Sequence, residues 1–411
     1  MELSIYIHFP FCVKRCNYCD FNTFAGKENL ISDYISALAK EIQFTSKRLN
    51  PQYPVHTIYF GGGTPSLMQA SDTRRIIRDI KNSFDLLPDP EITLEANPGT
   101  VDHSKLDKFR EIGINRLSFG VQSFQMEELK VLGRIHTPEQ AEKAFLEARQ
   151  CGFENINLDL IFGLPGQTLE KWQATLQTAW DLNPTHLSLY SLLVEPGTLL
   201  ETQIRSGRIP TPDEDLAAEM YEQAMNDLQS HGFLQYEISN WSRLNEMGKS
   251  WTSRHNLQYW KNYPYLGIGA GAHGSIPGRR TENVRQIETY IRKTNDDISS
   301  PEWISPANEK ITIISKWEEI QETMMLGLRL TEQGVIDDEF LIRFGNRMEE
   351  YFPDQITKLV DQKLLEWNLW DKGRALRLTR KGRLLGNRVF SEFVGNDIPG
   401  ALDQTTSTFV P

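Results

Sequence analysis

Residues 3–21 read LSIYIHFPFCVKRCNYCDF, an apolar segment that runs directly into three closely spaced cysteines. The continuous apolar and β-branched run Leu3–Phe9 is typical of a strand buried in a parallel sheet. Cys12, Cys16 and Cys19 follow this run with the spacing Cys-x3-Cys-x2-Cys. Because β/α arrays place their functional residues at the carboxyl ends of strands, we expect the three cysteines to lie at the mouth of such an array.

Downstream, strand patterns alternate with helix patterns. The residues Thr137-Pro138-Glu139-Gln140 form a capping box that predicts a helix to Gln150, and Thr211-Pro212-Asp213-Glu214 repeats the signal before a helix at 216–231. Five further short apolar runs are predicted strands: Val55–Phe60, Glu91–Ala96, Asn115–Val121, Asn155–Phe162 and His186–Leu192. This alternation implies an α/β fold with parallel strands and crossover helices. The pattern alone does not choose between a partial β/α barrel and a doubly wound sheet.

The change of texture along the chain predicts four segments. Residues 1–231 carry the strand–helix alternation, and the less regular, aromatic-rich residues 232–310 are expected to complete a barrel. Residues 311–395 read as helices followed by a hairpin with its turn at 371–373, which predicts a winged-helix-like domain. The polar residues 396–411 are predicted to form a flexible tail.

Composition excludes several classes of protein. The 411 residues hold 44 Lys and Arg against 55 Asp and Glu, and the net charge of −11 disfavours phosphate-backbone binding over the whole surface. No window reaches the roughly 18 apolar residues of a membrane helix, and the first residues lack the basic segment of a secretory signal. Four cysteines make no disulfide framework. We therefore expect a reducing, cytoplasmic setting.

The cysteine spacing indicates a metal centre. Thiolates are soft ligands that favour zinc, copper(I) or iron–sulfur clusters, and structural zinc normally takes four ligands, which this segment does not supply. Three thiolates on a 4Fe–4S cluster leave one iron open for the amino and carboxylate groups of S-adenosylmethionine. An electron from that cluster can then cleave the sulfonium to an adenosyl radical. The alternative is three free or incidentally metal-binding cysteines.

At this point the sequence resembles the radical SAM superfamily, whose hallmark is this spacing with an aromatic residue, here Tyr18, before the last cysteine. The segment Ile58–Pro65, IYFGGGTP, resembles the glycine-rich loop after the second strand of that family. The resemblance implies a partial (β/α)6 barrel with a 4Fe–4S cluster on the three cysteines. In such a loop, glycines let the backbone approach the ligand and offer amides to its carboxylate.

The resemblance is greatest to the oxygen-independent coproporphyrinogen III oxidase group. It implies a set of S-adenosylmethionine contacts that includes Glu95 at the end of the third predicted strand. The set is Tyr6, Tyr18, Gly62, Gly63, Thr64, Glu95, Gln122, Arg134 and Asp159. The structural alternatives are a backbone-satisfied acid for Asp159 and a surface ion pair for Arg134.

Two features resemble one branch of this group, the HemW-type heme chaperones. Phe21 stands where the oxidases carry a further cysteine, and the oxidases also have a long N-terminal extension before the cluster motif. Residues 255–260, HNLQYW, match the His-Asn-x-x-Tyr-Trp motif of the chaperones. The match implies heme contacts from His255, Tyr259 and Trp260, with His255 a candidate iron ligand; the alternative is a loop packed on the barrel around a hydrogen-bonded histidine. His273 is a second candidate.

The leading hypothesis is a heme chaperone that binds heme, one 4Fe–4S cluster and S-adenosylmethionine and transfers heme to an acceptor protein. A membrane-associated respiratory protein is one candidate acceptor. The sequence assigns no catalytic residue, and slow cleavage of S-adenosylmethionine is compatible with this hypothesis. The alternative is an oxidase that removes two propionate carboxylates from coproporphyrinogen III by radical chemistry.

A third interpretation concerns the C-terminal domain. Residues 371–388 hold seven basic residues against the single acidic residue Asp371. Such a stretch can grip nucleic-acid phosphates, an acidic protein, heme propionates or lipid headgroups. Because the rest of the chain is acidic, nucleic-acid binding is disfavoured.

Overall fold

A mixed sheet of twelve strands organises the amino-terminal three quarters of the protein. The computed structural model describes residues 1–49, 53–296, 303–371 and 373–395. The strands are β1 (Leu3–Phe9), β2 (Phe11–Cys12), β3 (Phe24–Ala25), β4 (Val55–Gly62), β5 (Leu86–Ala96), β6 (Arg116–Gln122), β7 (Asn155–Phe162), β8 (His186–Ser191), β9 (Leu234–Glu237), β10 (Asn240–Ser242), β11 (Tyr265–Ile268), β12 (His273–Ile276), β13 (Arg279–Asn283), β14 (Asn308–Ile313), β15 (Val335–Ile336), β16 (Leu365–Trp370) and β17 (Gly373–Leu378).

Helices follow most of these strands, as a β/α fold requires. They are α1 (Ile31–Arg48), α2 (Ala70–Ser83), α3 (His103–Glu111), α4 (Met126–Leu132), α5 (Pro138–Gln150), α6 (Leu169–Asp181), α7 (Leu199–Arg205), α8 (Glu214–Ser230), α9 (Arg254–Trp260), α10 (Ile287–Asn295), α11 (Lys316–Gly327), α12 (Asp337–Phe344), α13 (Met348–Tyr351), α14 (Pro353–Asp361), α15 (Arg380–Leu384) and α16 (Gly386–Ser391). No helix of the described residues has the length and apolar character needed to cross a bilayer.

The strand order shows which of the two α/β arrangements forms. The sheet runs β14-β13-β12-β11-β1-β4-β5-β6-β7-β8-β10-β9, and β1, β4, β5, β6, β7 and β8 are parallel neighbours. A doubly wound sheet reverses its strand order at a switch point, and these six strands progress in one direction. The sheet is therefore a partial barrel, flanked by β11 in parallel with β1 and by antiparallel strands at both edges.

Local sequence signals place most element ends. Thr137 caps α5 with both hydrogen bonds of a capping box, as predicted. The second such signal was wrong in detail, because α8 begins at Glu214 and its cap is Asp213, whose carboxylate accepts from the amide of Leu216. Residues 348–361 form two helices and not one, since Pro353 starts α14 and cannot donate the hydrogen bond that would continue α13.

A second hydrophobic core lies in the C-terminal segment. It is built from α11 to α16 and the three-stranded sheet β15-β17-β16, with buried Phe340, Phe352 and Leu376 among its members. Helices followed by this hairpin give the winged-helix-like arrangement expected from the sequence. The exact four-segment division stays a prediction. Lys372 in the hairpin turn and the tail 396–411 lie outside the described residues.

The basic stretch 371–388 is engaged by the protein's own side chains. Arg374 pairs with Asp337 and Glu349, and Arg377 pairs with Glu366. Further along, Arg380, Arg383 and Arg388 donate to the amide oxygens of Asn226, Gln235 and Gln362. These contacts leave no structural argument for a nucleic-acid interface there.

Candidate functional site

The cysteine loop follows β1 at the carboxyl end of the barrel strands. Each thiol has a polar neighbour: the Thr64 hydroxyl donates to Cys12 Sγ at 3.6 Å and Arg134 Nη1 donates to Cys16 Sγ at 3.4 Å. Cys19 Sγ lies 3.9 Å from the hydroxyl of Thr23. Donors directed at sulfur stabilise thiolates, which are the forms that bind metals.

The donor set of the loop consists of three neighbouring thiols. Among the residues that the structure describes, no three His, Cys, Asp or Glu side chains converge as the ligands of one ion. The three thiols are nonetheless close enough to influence one another. Burial raises the pKa of Cys12, and the charges of Cys19 and Cys16 raise that pKa further, whereas the hydrogen bond from Thr64 lowers it. Zinc needs its ligands gathered around one point, whereas cluster thiolates bind different irons. Three thiols in this arrangement fit a cluster better than a zinc ion.

Asn17 fixes the cysteine loop to the barrel. Its backbone amide donates to Leu132 O, and its side-chain amide donates to Val131 O, both at 2.9 Å. Gly133 has φ +72°, and a Cβ there would lie 2.5 Å from Asn17 Oδ1. The turn after α4 therefore accommodates the loop because residue 133 is glycine.

The glycine-rich loop after β4 closes against the cysteine loop. The amides of Gly63 and Thr64 donate to the backbone oxygens of Phe9 and Phe11, each at 2.8 Å. The amide of Gly62 donates to Glu95 Oε2 at 3.1 Å. All three amides therefore donate to acceptors within the protein in this structure, and their contact with a ligand carboxylate stays a prediction. The loop supplies a close-packed backbone wall.

Glu95 is a buried carboxylate beside this wall. Tyr59 donates its hydroxyl to Oε1 at 2.9 Å. Burial raises the pKa of Glu95 to about 7, the charge of Asp159 adds to this shift, and the hydrogen bonds from Tyr59 and Gly62 oppose it. A carboxylate in this environment is stabilised by hydrogen-bond donors, such as the N–H groups of an amine.

Asp159 and Gln122 lie on neighbouring strands, Asp159 within β7 and Gln122 at the end of β6. Asp159 accepts hydrogen bonds from Ser118 at 3.0 Å and from Asn157 at 2.8 Å, and burial raises its pKa. Gln122 has φ +69° at a register shift between β6 and β7. A β-bulge re-aims a side chain at the cost of local strain. The sequence identified Gln122 as a candidate by resemblance, whereas its backbone strain emerges only from the structure.

Arg134 links the cysteine loop to the strand ends. Besides Cys16, its guanidinium donates to the side-chain oxygen of Asn97 and to the carbonyl of Gly120. Asn97 in turn donates to Thr64 Oγ1 at 2.9 Å. Arg134 therefore connects the cysteine loop to the strand ends. It does not form the surface ion pair that was the alternative interpretation of this residue. Sequence reasoning missed Asn97, although its position directly after β5 and before Pro98 is a usable signal.

A cavity of about 430 Å³ opens beside the cysteine loop. Four of the predicted site residues line it, three from the S-adenosylmethionine set and one from the aromatic motif: Tyr6, Gly62, Glu95 and Tyr259. The rest of its wall is Asp20, Phe21, His8, Asn22, Tyr265, Gly271, Ala272, His273 and Arg285. This volume falls in the range of small-molecule sites, roughly 300–1,000 Å³.

His8 is a neutral part of this wall. Its Nε2 lies 2.9 Å from the carbonyl oxygen of Asn22, so Nε2 carries the hydrogen, and Nδ1 accepts from the Tyr6 hydroxyl at 3.1 Å. Burial lowers the pKa of His8 to about 4. A Cβ at Gly62 would lie 2.5 Å from the His8 ring, so the ring packs directly on the glycine loop.

The motif HNLQYW divides between two environments. His255 is 1% exposed and has both ring nitrogens bonded: Nδ1 lies 2.7 Å from Thr57 Oγ1 and Nε2 lies 2.9 Å from the Tyr259 hydroxyl. Burial lowers its pKa to about 3. In this conformation His255 presents no free nitrogen to iron, and its hydrogen bond instead orients Tyr259, which lines the cavity.

Trp260 faces away from the cavity. Its ring lies under the guanidinium of Arg329, 4.3 Å from ring centroid to Cζ, and it borders the C-terminal segment together with Gly327 and Val335. The expectation that His255, Tyr259 and Trp260 share one ligand surface is therefore not met. Of the three side chains, only Tyr259 lines the cavity.

Tyr18 and Asn22 attach the cysteine loop to two other parts of the fold. Tyr18 packs against a small apolar cluster around Leu132 and Leu164. Asn22 donates from Nδ2 to the carbonyl oxygens of Ala270 at 3.0 Å and Arg285 at 2.9 Å. Asn22, which sequence reasoning missed, therefore ties the cysteine loop to the wall that carries His273.

Comparison with known proteins agrees with this geometry. Residues 6–179 match the family model of the radical SAM superfamily, and residues 314–385 match that of the HemN C-terminal domain. The protein named heme chaperone HemW of Bacillus subtilis (strain 168) is 39% identical over 396 residues, which is 95% of this chain and 99% of that protein. The heme chaperone HemW of Lactococcus lactis subsp. lactis (strain IL1403) is 36% identical over 398 residues, 96% and 98% of the two chains.

One solved structure shares the fold over nearly the full length. Coproporphyrinogen III oxidase (HemN) from Escherichia coli aligns with a TM-score of 0.78 at 24% identity, covering 96% of this chain and 90% of that chain. The α/β fold with its partial barrel is thereby confirmed. Together with the family models and the full-length similarity to curated relatives, this shows that the chain belongs to the radical SAM superfamily and, within it, to the family of the HemW proteins.

Proposed function

We propose that this protein is a heme chaperone that binds a 4Fe–4S cluster, S-adenosylmethionine and heme, and transfers heme to an acceptor protein. The observation that carries the proposal is the shared cavity, in which Gly62 and Glu95 from the S-adenosylmethionine set lie together with Tyr259 from the aromatic motif. The names of relatives that cover 95% or more of this chain support the same function. The acceptor is a protein whose identity the proposal leaves open.

In this proposal Cys12, Cys16 and Cys19 hold the cluster, and the donors Thr64 and Arg134 stabilise the thiolates. When bound, the cluster and S-adenosylmethionine supply electron transfer and, on cleavage, an adenosyl radical. The protein's own part is to hold these groups and to exclude water. The buried wall of the glycine-rich loop serves the second purpose.

The S-adenosylmethionine set divides by the role that each side chain can take. Glu95 lines the cavity with a carboxylate that can accept hydrogen bonds from the ligand's amino group. Gln122 and Asp159 lie on the adjacent strands β6 and β7, where polar groups of the ligand can be bound. Arg134 and Tyr18 act through the cysteine loop, because their contacts are with Cys16 and with the apolar cluster beside it.

In this proposal heme is the cargo that the protein binds and later releases. Aromatic rings from two strands and one helix offer faces to a porphyrin: Tyr6, Tyr259 and Tyr265 line the cavity, and Phe21 of the cysteine loop stands at its rim with 63% of its surface exposed. Exposed aromatic residues beside a cavity mark binding sites for large apolar ligands. The position of Phe21 also fits a chaperone, because a cargo held at a rim can leave.

The oxidase is the second candidate, favoured by the presence of the partly buried residues Glu95, Asp159 and Arg134. Oxidative decarboxylation by this route requires hydrogen abstraction from each propionate side chain. The resemblance to the chaperone branch through Phe21 and HNLQYW weighs against it.

The test is an anaerobic titration of the cluster-reconstituted protein with hemin, in the presence of S-adenosylmethionine, followed by Soret absorbance. We expect a saturable shift with one equivalent of heme and no protoporphyrinogen from coproporphyrinogen III under reducing conditions. Failure to bind heme together with porphyrinogen turnover would overturn the chaperone in favour of the oxidase. Heme transfer is then followed by mixing the loaded protein with an apo-cytochrome.

A further inference from the structure

The rim of the cavity carries His273, the second candidate iron ligand from the sequence, and Arg285, which neither the motifs nor the resemblance assigned to a ligand. His273 is the first residue of β12 and its side chain is exposed, and Arg285 follows β13. Both line the cavity. In the described parts of the chain, neither His273's ring nor Arg285's guanidinium makes a hydrogen bond or ion pair; Arg285 is held through its backbone oxygen by Asn22.

Three histidines lie in or beside the cavity wall, and both ring nitrogens of His8 and of His255 are engaged in hydrogen bonds. His255 would have to break the hydrogen bonds to Thr57 and Tyr259 before a ring nitrogen could reach iron, and its ring is buried below Tyr6 and Tyr59. Breaking two buried hydrogen bonds leaves polar groups unpaired, which disfavours this route. His273 has no such contacts to break.

The backbone around His273 is held firmly in place. Asn283 donates from its backbone amide to Ala272 O at 2.9 Å, and Gly271, with φ +75°, donates to Val284 O at 2.8 Å. The buried carboxylate of Glu41 accepts from the amide of Gly269 at 2.8 Å and from the side chain of Asn283 at 2.7 Å. A ligating side chain on such a support loses little backbone entropy on binding.

The groups around His273 are those that a heme needs. Tyr259 and Tyr265 meet edge to face with ring centroids 4.6 Å apart, and both line the cavity wall. Arg285 supplies a charged fork, the geometry that binds carboxylates best. Asp20 also lines the cavity, and its charge is expected to direct the propionates toward Arg285.

We propose that His273 is the axial ligand of the heme iron and that Arg285 binds a heme propionate. This assignment rests on the proposed function and adds the residues that grip the cargo. His255 is then a positioning residue, because its hydrogen bond to the Tyr259 hydroxyl orients that ring. Neutral histidine is a common axial ligand, and one at an exposed rim suits a heme that must be released.

The test uses the full-length, cluster-reconstituted protein and hemin as the probe. His273→Ala should lose the wild-type ligation signature in Soret and magnetic circular dichroism spectra and weaken heme binding by roughly tenfold or more. His273→Tyr should bind heme with the high-spin spectrum of a tyrosinate ligand, and added imidazole should restore a nitrogen-ligated spectrum to His273→Gly. His103→Ala, a substitution on α3 away from the cavity, is the matched control and should leave the spectrum unchanged.

The propionate contact is tested with a paired ligand. Arg285→Gln should weaken binding of hemin but not of hemin dimethyl ester, whose propionates carry no charge. Equal loss for both ligands would overturn the Arg285 assignment.

The outcomes separate this inference from the proposed function. If the unaltered protein binds heme and His273→Ala keeps its spectrum, the ligand is elsewhere and the inference is overturned. His255→Gln, which keeps hydrogen-bonding capacity, should then lose the spectrum if His255 is the ligand. Absence of heme binding by the unaltered protein overturns the proposed function and, with it, this inference. Iron content and circular dichroism of each variant establish that the cluster and the fold are intact.

Discussion

At the scale of single residues, the three cysteines of the loop differ from the fourth. Cys12, Cys16 and Cys19 each have a polar neighbour around the loop, whereas Cys151 stands at the end of α5 beside His103. We expect alanine at any of the first three to remove the cluster after anaerobic reconstitution, measured as iron content and visible absorbance. Cys151→Ala is the control and should retain full iron. Unchanged iron in a loop variant would refute that residue as a ligand.

A pH dependence follows from Glu95. Its pKa of about 7 means that the carboxyl is neutral below that pH and charged above it. Because the charged form is the stronger hydrogen-bond acceptor for the ligand's amino group, S-adenosylmethionine affinity should fall as the pH is lowered through 7. His8 and His136, with pKa values of about 4, titrate below this window and do not contribute.

The measurement is equilibrium dialysis of S-adenosylmethionine between pH 6 and 8.5 with the reconstituted protein. Glu95→Gln should bind more weakly at the high end and lose the pH dependence, because its amide does not titrate. If the Glu95→Gln protein kept the wild-type pH profile, the titrating group would be another one.

Residue types alone identified the cysteine loop, because thiol spacing is a strong local signal, whereas Glu95 needed both its position at a predicted strand end and the resemblance. They did not reveal Asn17, Asn22 and Asn97, whose partners lie far away in the sequence. Such contacts depend on tertiary packing, which no local pattern encodes. The resemblance to a known family supplied what local chemistry did not, namely Gln122 and Arg134 as members of the site.

At the scale of elements, the division of HNLQYW follows from helix geometry. Residues 255–260 fall in helix α9, so His255 and Tyr259, four residues apart, share a face, while Trp260 lies on another. The family motif implied one ligand for all three side chains, whereas the turn of the helix separates Trp260 from the other two. The six barrel strands were predicted to within a few residues, because buried parallel strands are continuous apolar runs bounded by polar turns.

The glycine-rich loop gives a prediction at this scale. Gly62 has φ +112° and packs on the His8 ring, while Gly113 has φ +103° with open space where a Cβ would stand. Gly113→Ala should cost only backbone strain, roughly 1–3 kcal/mol. Gly62→Ala should cost more, because His8 must move away from Tyr6 and the cavity wall with it.

Chemical denaturation of the two glycine variants measures this difference, and dialysis of S-adenosylmethionine reports the state of the wall. Gly113→Ala should keep normal ligand affinity. Equal destabilisation of the two variants, with normal affinity in both, would show that the loop tolerates a side chain.

At the scale of the whole molecule, Arg329 joins the two hydrophobic cores. It follows α11, stacks on Trp260 of α9 and pairs with the buried Glu237 of β9, with Nη2 and Oε2 3.5 Å apart. Burial raises the pKa of Glu237, and Arg329 opposes that shift. Arg329→Ala should destabilise the protein by roughly 2–4 kcal/mol, since it leaves a buried carboxylate without its charge partner.

Thermal unfolding and limited proteolysis of Arg329→Ala test this link. The C-terminal segment of this variant should be more susceptible to cleavage than that of the unaltered protein. The control is Arg205→Ala, which removes an exposed i,i+4 pair with Glu201. Such surface pairs contribute only about 0.3–0.5 kcal/mol. A similar small effect for both variants would show that Arg329 does not hold the segments together.

The shared cavity makes a prediction about the protein as a whole. Tyr6, Gly62 and Glu95, proposed to bind S-adenosylmethionine, line the same space as Tyr259 and His273. Two ligands in one cavity must touch or reshape each other's walls, so each should change the affinity of the other. Linkage requires the two factors to be equal, typically about 5–150-fold. We therefore expect the change in hemin affinity on saturation with S-adenosylmethionine to match the reciprocal change, both measured by titration of the reconstituted protein. Identical affinities with and without the other ligand would show that the two ligands bind at separate sites and do not share this cavity.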